Sequence, residues 1–166
     1  MELKGKAHVF GDDINTDYII SGKYKFKTLD MDELGKHVME DLDPDFSSKV
    51  EPGDFLVAGM NFGCGSSREQ APRALLASGI QIVLARSFAR IFFRNAINCG
   101  LVVMECDTEG IETGDEMTAD LTTGEIKNLT HAFTRQAQPL PDVMIRILQE
   151  GGLVEYIKKY GTFQEI

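Results

Sequence analysis

The chain of 166 residues is 43% hydrophobic and 8% aromatic, enough for one globular domain over residues 1–166 with a sizeable core. Its formal net charge of −9 argues against a general role on nucleic acids or membrane surfaces, because phosphate-rich partners are repelled wherever no local basic patch intervenes. The chain does not start like a signal peptide and holds no apolar run that could span a bilayer, so we expect a soluble, cytoplasmic protein.

The first elements that the sequence predicts are a strand and a polar turn. Residues 6–10 alternate in polarity and stop at Gly11. In the polar loop over residues 12–17, Asx-type turns are the ordinary explanation for the short acidic and amide side chains. Asp17 stands apart from them, because it lies just before an apolar segment, where a carboxylate requires a partner.

Residues 21–28 form a local basic patch in an otherwise acidic chain. The lysines of this patch are Lys23, Lys25 and Lys27. Their alternation predicts a solvated strand whose lysines point outward and whose aromatic residues, Tyr24 and Phe26, point inward. A helix is predicted over residues 32–42, and His37 within it is expected on the surface.

The most informative stretch is residues 61–70, Asn-Phe-Gly-Cys-Gly-Ser-Ser-Arg-Glu-Gln. An apolar run at residues 55–59 precedes it and a helical pattern at residues 68–78 follows it, so it predicts a strand, a glycine loop and a helix start. Ligands of α/β folds bind at such connections. Gly63 and Gly65 permit backbone angles that side chains forbid, and they let a ligand approach the main chain closely.

The end of this loop predicts an anion site. Ser66 or Ser67 would cap the helix, and the unpaired N–H groups of its first turn would face a carboxylate or a phosphate. Arg68 adds a guanidinium group, which suits the same small anion. Two nucleotide motifs are excluded, because a P-loop would end in Gly-Lys-Ser/Thr and a dinucleotide fingerprint would need a third glycine.

The second half of the chain predicts a parallel sheet, a hairpin and a helical tail. Strands are expected at residues 80–85 and 101–104, a hairpin at residues 114–128, and helices at residues 141–150 and from 153 to 160. The first of these strands is nearly uniformly apolar, so it should be covered on both faces.

A further helix is expected over residues 86–100, capped by Ser87 and ended by Gly100. Arginines recur along it every four residues and would share one face. They are Arg86, Arg90 and Arg94. Acidic neighbours on a solvated face or the surface of a partner would each satisfy these cations, and the sequence leaves both explanations open.

The three cysteines predict free thiols. They are Cys64, Cys99 and Cys106, and their odd number and irregular spacing suit neither a disulfide framework nor an iron–sulfur site. Cys64 lies between two glycines, where a small side chain is a simpler explanation than a nucleophile without a histidine partner. No two histidines have metal-ligand spacing, so no metal site is predicted.

Three motifs together resemble one family. They are residues 11–17, 61–70 and 86–98, and they follow one another in the family's order over nearly the whole chain. In them the chain resembles the small subunits of the isopropylmalate isomerase and homoaconitase group, which correspond to the swivelling C-terminal domain of aconitase. The resemblance implies an α/β fold of the swivelling β/β/α type. It also implies that a separate large subunit carries a 4Fe-4S cluster on its own cysteines, and that this chain binds no cofactor.

By the same resemblance, Ser66 is the catalytic base that removes the proton next to a substrate carboxylate, while the cluster iron takes the hydroxyl. Ser67 and Arg68 would bind substrate, with the guanidinium clamping a carboxylate. The supporting residues would be Asp17, Gly63 and Gly65, the first of them by orienting active-site groups.

The resemblance assigns recognition of the variable part of a malate substrate to the segment that here contains Lys25, Phe26 and Lys27. Relatives with an isopropyl-type substrate tend to have apolar or aromatic residues after the tyrosine, and those that accept an extra carboxylate tend to have an arginine, whereas this chain has Lys25-Phe26-Lys27. The resemblance implies a small dicarboxylate or tricarboxylate as substrate and leaves open which malate derivative it is.

The favoured function is the small subunit of a hydro-lyase that isomerises 3-isopropylmalate in leucine biosynthesis, active only with its large subunit. Homoaconitate, citramalate and 2,3-dimethylmalate are the alternative substrates, and a noncatalytic carboxylate-binding module is the alternative function. A single-chain enzyme is disfavoured, because no complete acid–base set is visible. Neither nucleic acid nor membrane is an expected partner, and self-association of the isolated chain stays open.

Overall fold

The computed structural model describes residues 1–25 and 30–162, and of Lys25 the backbone alone. Within these ranges the strands are β1 (Glu2–Val9), β2 (Phe55–Val57), β3 (Ile82–Ala85), β4 (Val102–Glu105), β5 (Glu116–Asp120), β6 (Glu125–Asn128) and β7 (Phe133–Gln136). The helices are α1 (Thr16–Ile19), α2 (Gly22–Lys25), α3 (Met31–Gly35), α4 (Phe46–Lys49), α5 (Gln70–Ser78), α6 (Arg90–Cys99), α7 (Asp142–Gln149) and α8 (Leu153–Tyr160). No helix in these described ranges is both long and apolar enough to cross a membrane.

The described strands form one sheet in the order β4-β3-β2-β1-β5-β6-β7. Neighbours from β1 to β4 pair in parallel, and the pairings from β1 through β5 and β6 to β7 are antiparallel. β1 belongs to both parts, because residues 7–9 pair with β2 whereas residues 2–6 pair with β5. The predicted α/β class is confirmed, since α5 and α6 connect the parallel strands β2, β3 and β4.

The parallel strands lie at the centre of the core. β2 and β3 are buried along their whole length, which confirms the prediction of an apolar strand covered on both faces. α7 and α8 pack against α6. A Cβ added at Gly100 would lie 2.8 Å from the carbonyl oxygen of Gly151, and one added at Gly152 would lie 2.6 Å from that of Asn98. The end of α6 and the turn between α7 and α8 therefore touch main chain to main chain.

The predicted start of α5 is wrong. The helix begins at Gln70, and Glu69 occupies the cap position without a capping hydrogen bond from its side chain. Ser66 and Ser67 lie in the preceding loop, where both residues are exposed. Neither serine therefore serves as the helix cap, and both hydroxyls stay available to a ligand.

The predicted start of α6 is also wrong, because Ser87 has another use. Its hydroxyl accepts the N–H of Asn61 at 2.7 Å, and its carbonyl accepts the N–H of Phe62 at 3.0 Å. The helix begins three residues later at Arg90. Arg86 consequently lies outside the helix, so the predicted three-arginine face reduces to two.

Residues 22–25 form the short helix α2 instead of the predicted strand. Tyr24 stacks on His37 with ring centroids 3.8 Å apart, and its hydroxyl donates to Glu40 at 2.9 Å. His37 was expected on the surface, but its side chain is only 27% exposed and its Nδ1 lies 2.6 Å from Glu40. These contacts favour a compact turn over a strand, which would need a neighbouring strand to pair with.

Two further elements differ from the sequence prediction. The helix expected over residues 32–42 ends at Gly35, and it could not reach residue 42, because Met39 adopts a positive φ of 57° and donates its N–H to Ile19. β7 was missed, since its sequence, Phe-Thr-Arg-Gln, is polar and carries no apolar alternation. The hairpin of β5 and β6 and the two C-terminal helices are confirmed.

A buried hydrogen-bonded pair, His8 and Asp54, fixes the turn before β2. Asp54 is 4% exposed and its Oδ2 lies 2.8 Å from His8 Nε2. The same carboxylate accepts the N–H groups of Lys6 at 3.0 Å and Glu51 at 2.9 Å. Burial alone would raise the pKa of Asp54, but these three hydrogen bonds together lower it.

Replacing Asp54 by asparagine is expected to reduce the free energy of unfolding by about 1–3 kcal/mol at neutral pH, because it removes a charge that is hydrogen-bonded in the fold. The folded-state pKa of Asp54 lies below its unfolded value, so this stabilisation is complete above about pH 4 and declines as the pH falls through the folded-state pKa. Urea unfolding of both proteins between neutral pH and about pH 3 checks this. A stability difference that grows on acidification would contradict it.

A second polar network holds the hairpin. Asp115 accepts the Glu112 N–H at 2.8 Å and the Asn128 side-chain amide at 2.6 Å, and His131 Nε2 lies 3.2 Å from its other oxygen. In the described residues, Glu112, Asp115 and His131 are the group of three donors close enough to hold a metal ion. Their contacts with one another and with Asn128 explain the group as a structural network that joins the turn before β5 to the end of β6 and the residues after it.

Candidate active site

The glycine loop and the polar loop after β1 meet at the carboxyl ends of β1 and β2. Gly63 donates its N–H to Ile14 at 2.8 Å, and Thr16 donates its N–H to Cys64 at 2.9 Å. Asn15 and Cys64 form an isolated parallel bridge. Two motifs that lie almost fifty residues apart in the chain thus form one surface, at the place where α/β folds bind ligands.

A cleft of about 330 Å³ opens on this surface. It is lined by Thr16, Gly63, Gly65, Ser66, Ser67, Arg68, Ala89, Arg90, Ile91, Phe92 and Asn95. The structure therefore brings together five of the predicted site residues, the two glycines, the two serines and Arg68. The volume of the cleft lies at the lower end of the range for small-molecule sites.

The guanidinium of Arg68 forms an ion pair with Asp17. The side chain of Arg68 is 15% exposed and that of Asp17 is 62% exposed, so the arginine lies in the wall of the cleft and the carboxylate at its edge. This pairing gives Asp17 the partner that the sequence required of it. It also holds the guanidinium in one orientation beside the serines.

Thr16 is a residue of the site that the sequence prediction missed. It is buried, and its hydroxyl donates to the main-chain carbonyl of Ser66 at 2.8 Å. The N–H groups of Ser67 and Arg68 donate to no backbone carbonyl within the described part of the chain. The loop is thus held through its carbonyls, while its hydroxyls and these two N–H groups remain for a ligand.

Gly63 is required by close packing. Its φ is +80°, and a Cβ added there would lie 2.2 Å from Cγ of Phe92. Phe92 is buried and meets the ring of Phe62 edge-on, with centroids 5.2 Å apart. Gly65 also has a positive φ, +91°, but an added Cβ would come no closer than 3.5 Å to any neighbour. Glycine is therefore required at position 63 by both packing and backbone conformation, and at position 65 by backbone conformation alone.

Arg90, Ile91 and Asn95 are lining residues that come from the start of α6. The sequence prediction placed Arg90 on a helix face without assigning it a surface, and it gave Asn95 no role. The spacing of four residues between Ile91 and Asn95 could have indicated that both line the same surface, because residues four apart share a helix face. What the sequence could not show is that α6 begins at Arg90 and directs its first turn at the cleft.

The three residues expected to read the substrate are not described in the same detail. Phe26 and Lys27 lie outside the described residues, and Lys25 is described only as the last backbone position of α2. Their predicted role therefore remains a prediction.

The three cysteines are free thiols, as the sequence predicts. Burial raises the pKa of Cys99, and burial together with Asp107 raises that of Cys106 to about 11, so both thiols are neutral at physiological pH. Among the described residues, the group of donors suited to a metal contains no cysteine. This chain's thiols therefore do not fit the ligand set of an iron–sulfur cluster.

Comparison with known proteins gives consistent matches. The family model described as the aconitase C-terminal domain matches residues 15–109. A 3-isopropylmalate dehydratase small subunit of Archaeoglobus fulgidus is 55% identical over 164 residues, which cover 99% of both chains. The small subunit of the same enzyme in Thermodesulfovibrio yellowstonii is 51% identical, over 100% of this chain and 99% of its own. The crystal structure of 3-isopropylmalate dehydratase from Methanocaldococcus jannaschii matches with a TM-score of 0.92 and 48% identity, over 97% of this chain and 96% of that one.

Proposed function

This chain belongs to the aconitase C-terminal domain family, and on that premise we propose that it is the small subunit of a hydro-lyase that interconverts 3-isopropylmalate and 2-isopropylmalate by dehydration and rehydration. The observation that carries the proposal is the cleft itself, where Ser66, Ser67 and Arg68 lie together on a surface open to a partner. On this proposal the protein acts in leucine biosynthesis in the cytoplasm.

In this proposal Ser66 acts as the base that removes the proton beside a substrate carboxylate. A serine hydroxyl has little basicity, so its alkoxide needs stabilisation. The guanidinium of Arg68 and the free N–H groups of Ser67 and Arg68 supply it. The contribution expected from a helix N-terminus is smaller than the sequence indicated, because α5 begins four residues after Ser66.

Arg68 binds a substrate carboxylate through its planar guanidinium, and Ser67 offers a hydroxyl to the same group. A 4Fe-4S cluster on a large subunit would supply the Lewis acid for the departing hydroxyl, because the thiols of this chain do not fit a cluster. The open side of the cleft is where that subunit would close the site.

Reconstitution tests the proposal. The chain is combined anaerobically with a large subunit that carries its cluster, and dehydration of 3-isopropylmalate is followed spectroscopically. Homoaconitate, citramalate and 2,3-dimethylmalate are assayed in parallel. Activity on 3-isopropylmalate that needs both chains supports the proposal, whereas activity of the large subunit alone would make this chain a noncatalytic binding module.

Replacing Asp17 by asparagine is expected to lower kcat/KM of the reconstituted enzyme by about 10- to 100-fold, because Arg68 loses the ion pair that orients it. Asp41→Asn, which changes an exposed carboxylate away from the cleft, is the matched control. A double-mutant cycle with Arg68→Lys separates orientation from direct chemistry. If the effect of Asp17→Asn is undiminished in the Arg68→Lys background, Asp17 does not act through Arg68.

A further inference from the structure

We propose that Arg90, at the first turn of α6, is a second carboxylate-binding residue of the same cleft and holds the carboxylate of the substrate that Arg68 does not. This inference rests on the proposed function and names a residue for which nothing in the family match assigns a role. Arg90 lines the cleft together with Arg68, Ser66 and Ser67. A dicarboxylate bound there would lie between two guanidinium groups.

The charge balance of the cleft favours such a second cation. The positive charge of Arg68 is already offset by Asp17. Arg90 has no carboxylate within 4.0 Å among the residues that the structure describes, although the chain carries a net charge of −9. Three arginines outside the cleft, Arg73, Arg86 and Arg135, pair with carboxylates, whereas Arg94 and Arg146 have none within 4.0 Å among the described residues. What distinguishes Arg90 is its place in the cleft, where an unpaired cation would attract a dianion.

The main chain around Arg90 strengthens the attraction for an anion. The cap residue of α6 is Ala89, which has no side chain able to accept a hydrogen bond, and its own N–H is donated to Phe62 at 2.9 Å. The N–H groups of Arg90, Ile91 and Phe92 donate to no backbone carbonyl within the described ranges. All three residues line the cleft, and α6 is ten residues long, so its dipole adds to the charge of Arg90.

Arg94 provides a matched comparison within the same helix. It is exposed like Arg90 and likewise has no carboxylate within 4.0 Å in the described part of the chain. It lies one turn further along α6 and lines a different surface depression, between α6 and α7. Removing either charge changes the net charge equally, so a difference between the two variants reports position and not charge.

The test compares wild type, Arg90→Gln, Arg90→Lys and Arg94→Gln, each reconstituted with the cluster-bearing large subunit. We expect Arg90→Gln to raise KM for 3-isopropylmalate by about 10- to 100-fold with a smaller change in kcat, because it removes a charge-assisted hydrogen bond formed with the bound substrate. Arg90→Lys should recover part of the loss, and Arg94→Gln should match wild type. Affinity for the large subunit and thermal stability should not change.

Two results would overturn the inference. One is an Arg90→Gln variant whose KM equals that of Arg94→Gln. The other is an Arg90→Gln variant with a normal KM but weaker assembly, which would make Arg90 a contact of the large subunit. If the wild-type complex turns over none of the four substrates, the proposed function fails separately. Calorimetric binding of 3-isopropylmalate to the wild-type and Arg90→Gln complexes then still decides between the two roles of Arg90.

Discussion

Replacing Ser66 by alanine is expected to lower kcat of the reconstituted enzyme by about 10²- to 10⁴-fold, the range over which a positioned base accelerates proton transfer. The fold should tolerate this change. Ser66 is exposed, and Thr16 holds its main-chain carbonyl, which alanine retains, so the loop keeps its anchoring hydrogen bond. The loss would therefore come from the missing hydroxyl and not from a displaced loop.

The measurement is steady-state dehydration of 3-isopropylmalate under anaerobic conditions, with assembly and thermal unfolding recorded for the same samples. Ser67→Ala is the matched control, because it removes the neighbouring exposed hydroxyl from the same cleft. Its effect should fall mainly on KM, since the proposed function assigns Ser67 to substrate binding and not to proton transfer. Turnover that survives in Ser66→Ala at the wild-type level would remove Ser66 from the role of base.

Replacing Gly63 by alanine is expected to reduce the free energy of unfolding by about 3–5 kcal/mol. Two costs add at this position. The positive φ of +80° is unfavourable for any residue with a Cβ, and the new methyl group would overlap the ring of Phe92. Because Phe92 is buried against Phe62, the ring cannot move away without disturbing the aromatic core behind the cleft.

Gly65→Ala separates these two costs. Its backbone is strained to a similar degree, with a φ of +91°, but the nearest atom to the new methyl group is 3.5 Å away. We expect a loss of about 1 kcal/mol there, from conformation alone. Urea unfolding of both variants measures the difference. Equal losses at the two glycines would show that overlap with Phe92 contributes little.

The features that sequence alone predicted well are those controlled by local pattern. The buried strands β2 and β3, the hairpin of β5 and β6, and the left-handed end of α6 at Gly100 follow from apolar runs, turn residues and glycine. In the candidate site, the glycine loop and Arg68 were likewise predicted from a local sequence pattern. These residues do line the cleft that the structure shows.

The features that sequence missed depend on contacts between distant segments. The sequence predicts Ser87 as a helix cap, but its hydroxyl accepts the N–H of Asn61, twenty-six residues away. The sequence predicts a strand at residues 22–25, but the stacking of Tyr24 on His37 favours a turn of helix there. The sequence predicted that Asp17 needs a partner, but not that this partner is Arg68, because two distant loops have to meet. No local pattern contains these pairings, because each partner is selected by tertiary packing.

The backbone contact between Gly100 and the turn joining α7 to α8 places a mechanical constraint on the opposite end of α6. Ten residues of helix span about 15 Å, so a tilt of about 4° at Gly100 would displace Arg90 by about 1 Å. None of the described residues after Asn95 lines the cleft. On the proposed function, the C-terminal helices therefore constrain the position of Arg90 from a distance, and we expect substitutions in them to alter activity without changing a residue that lines the cleft.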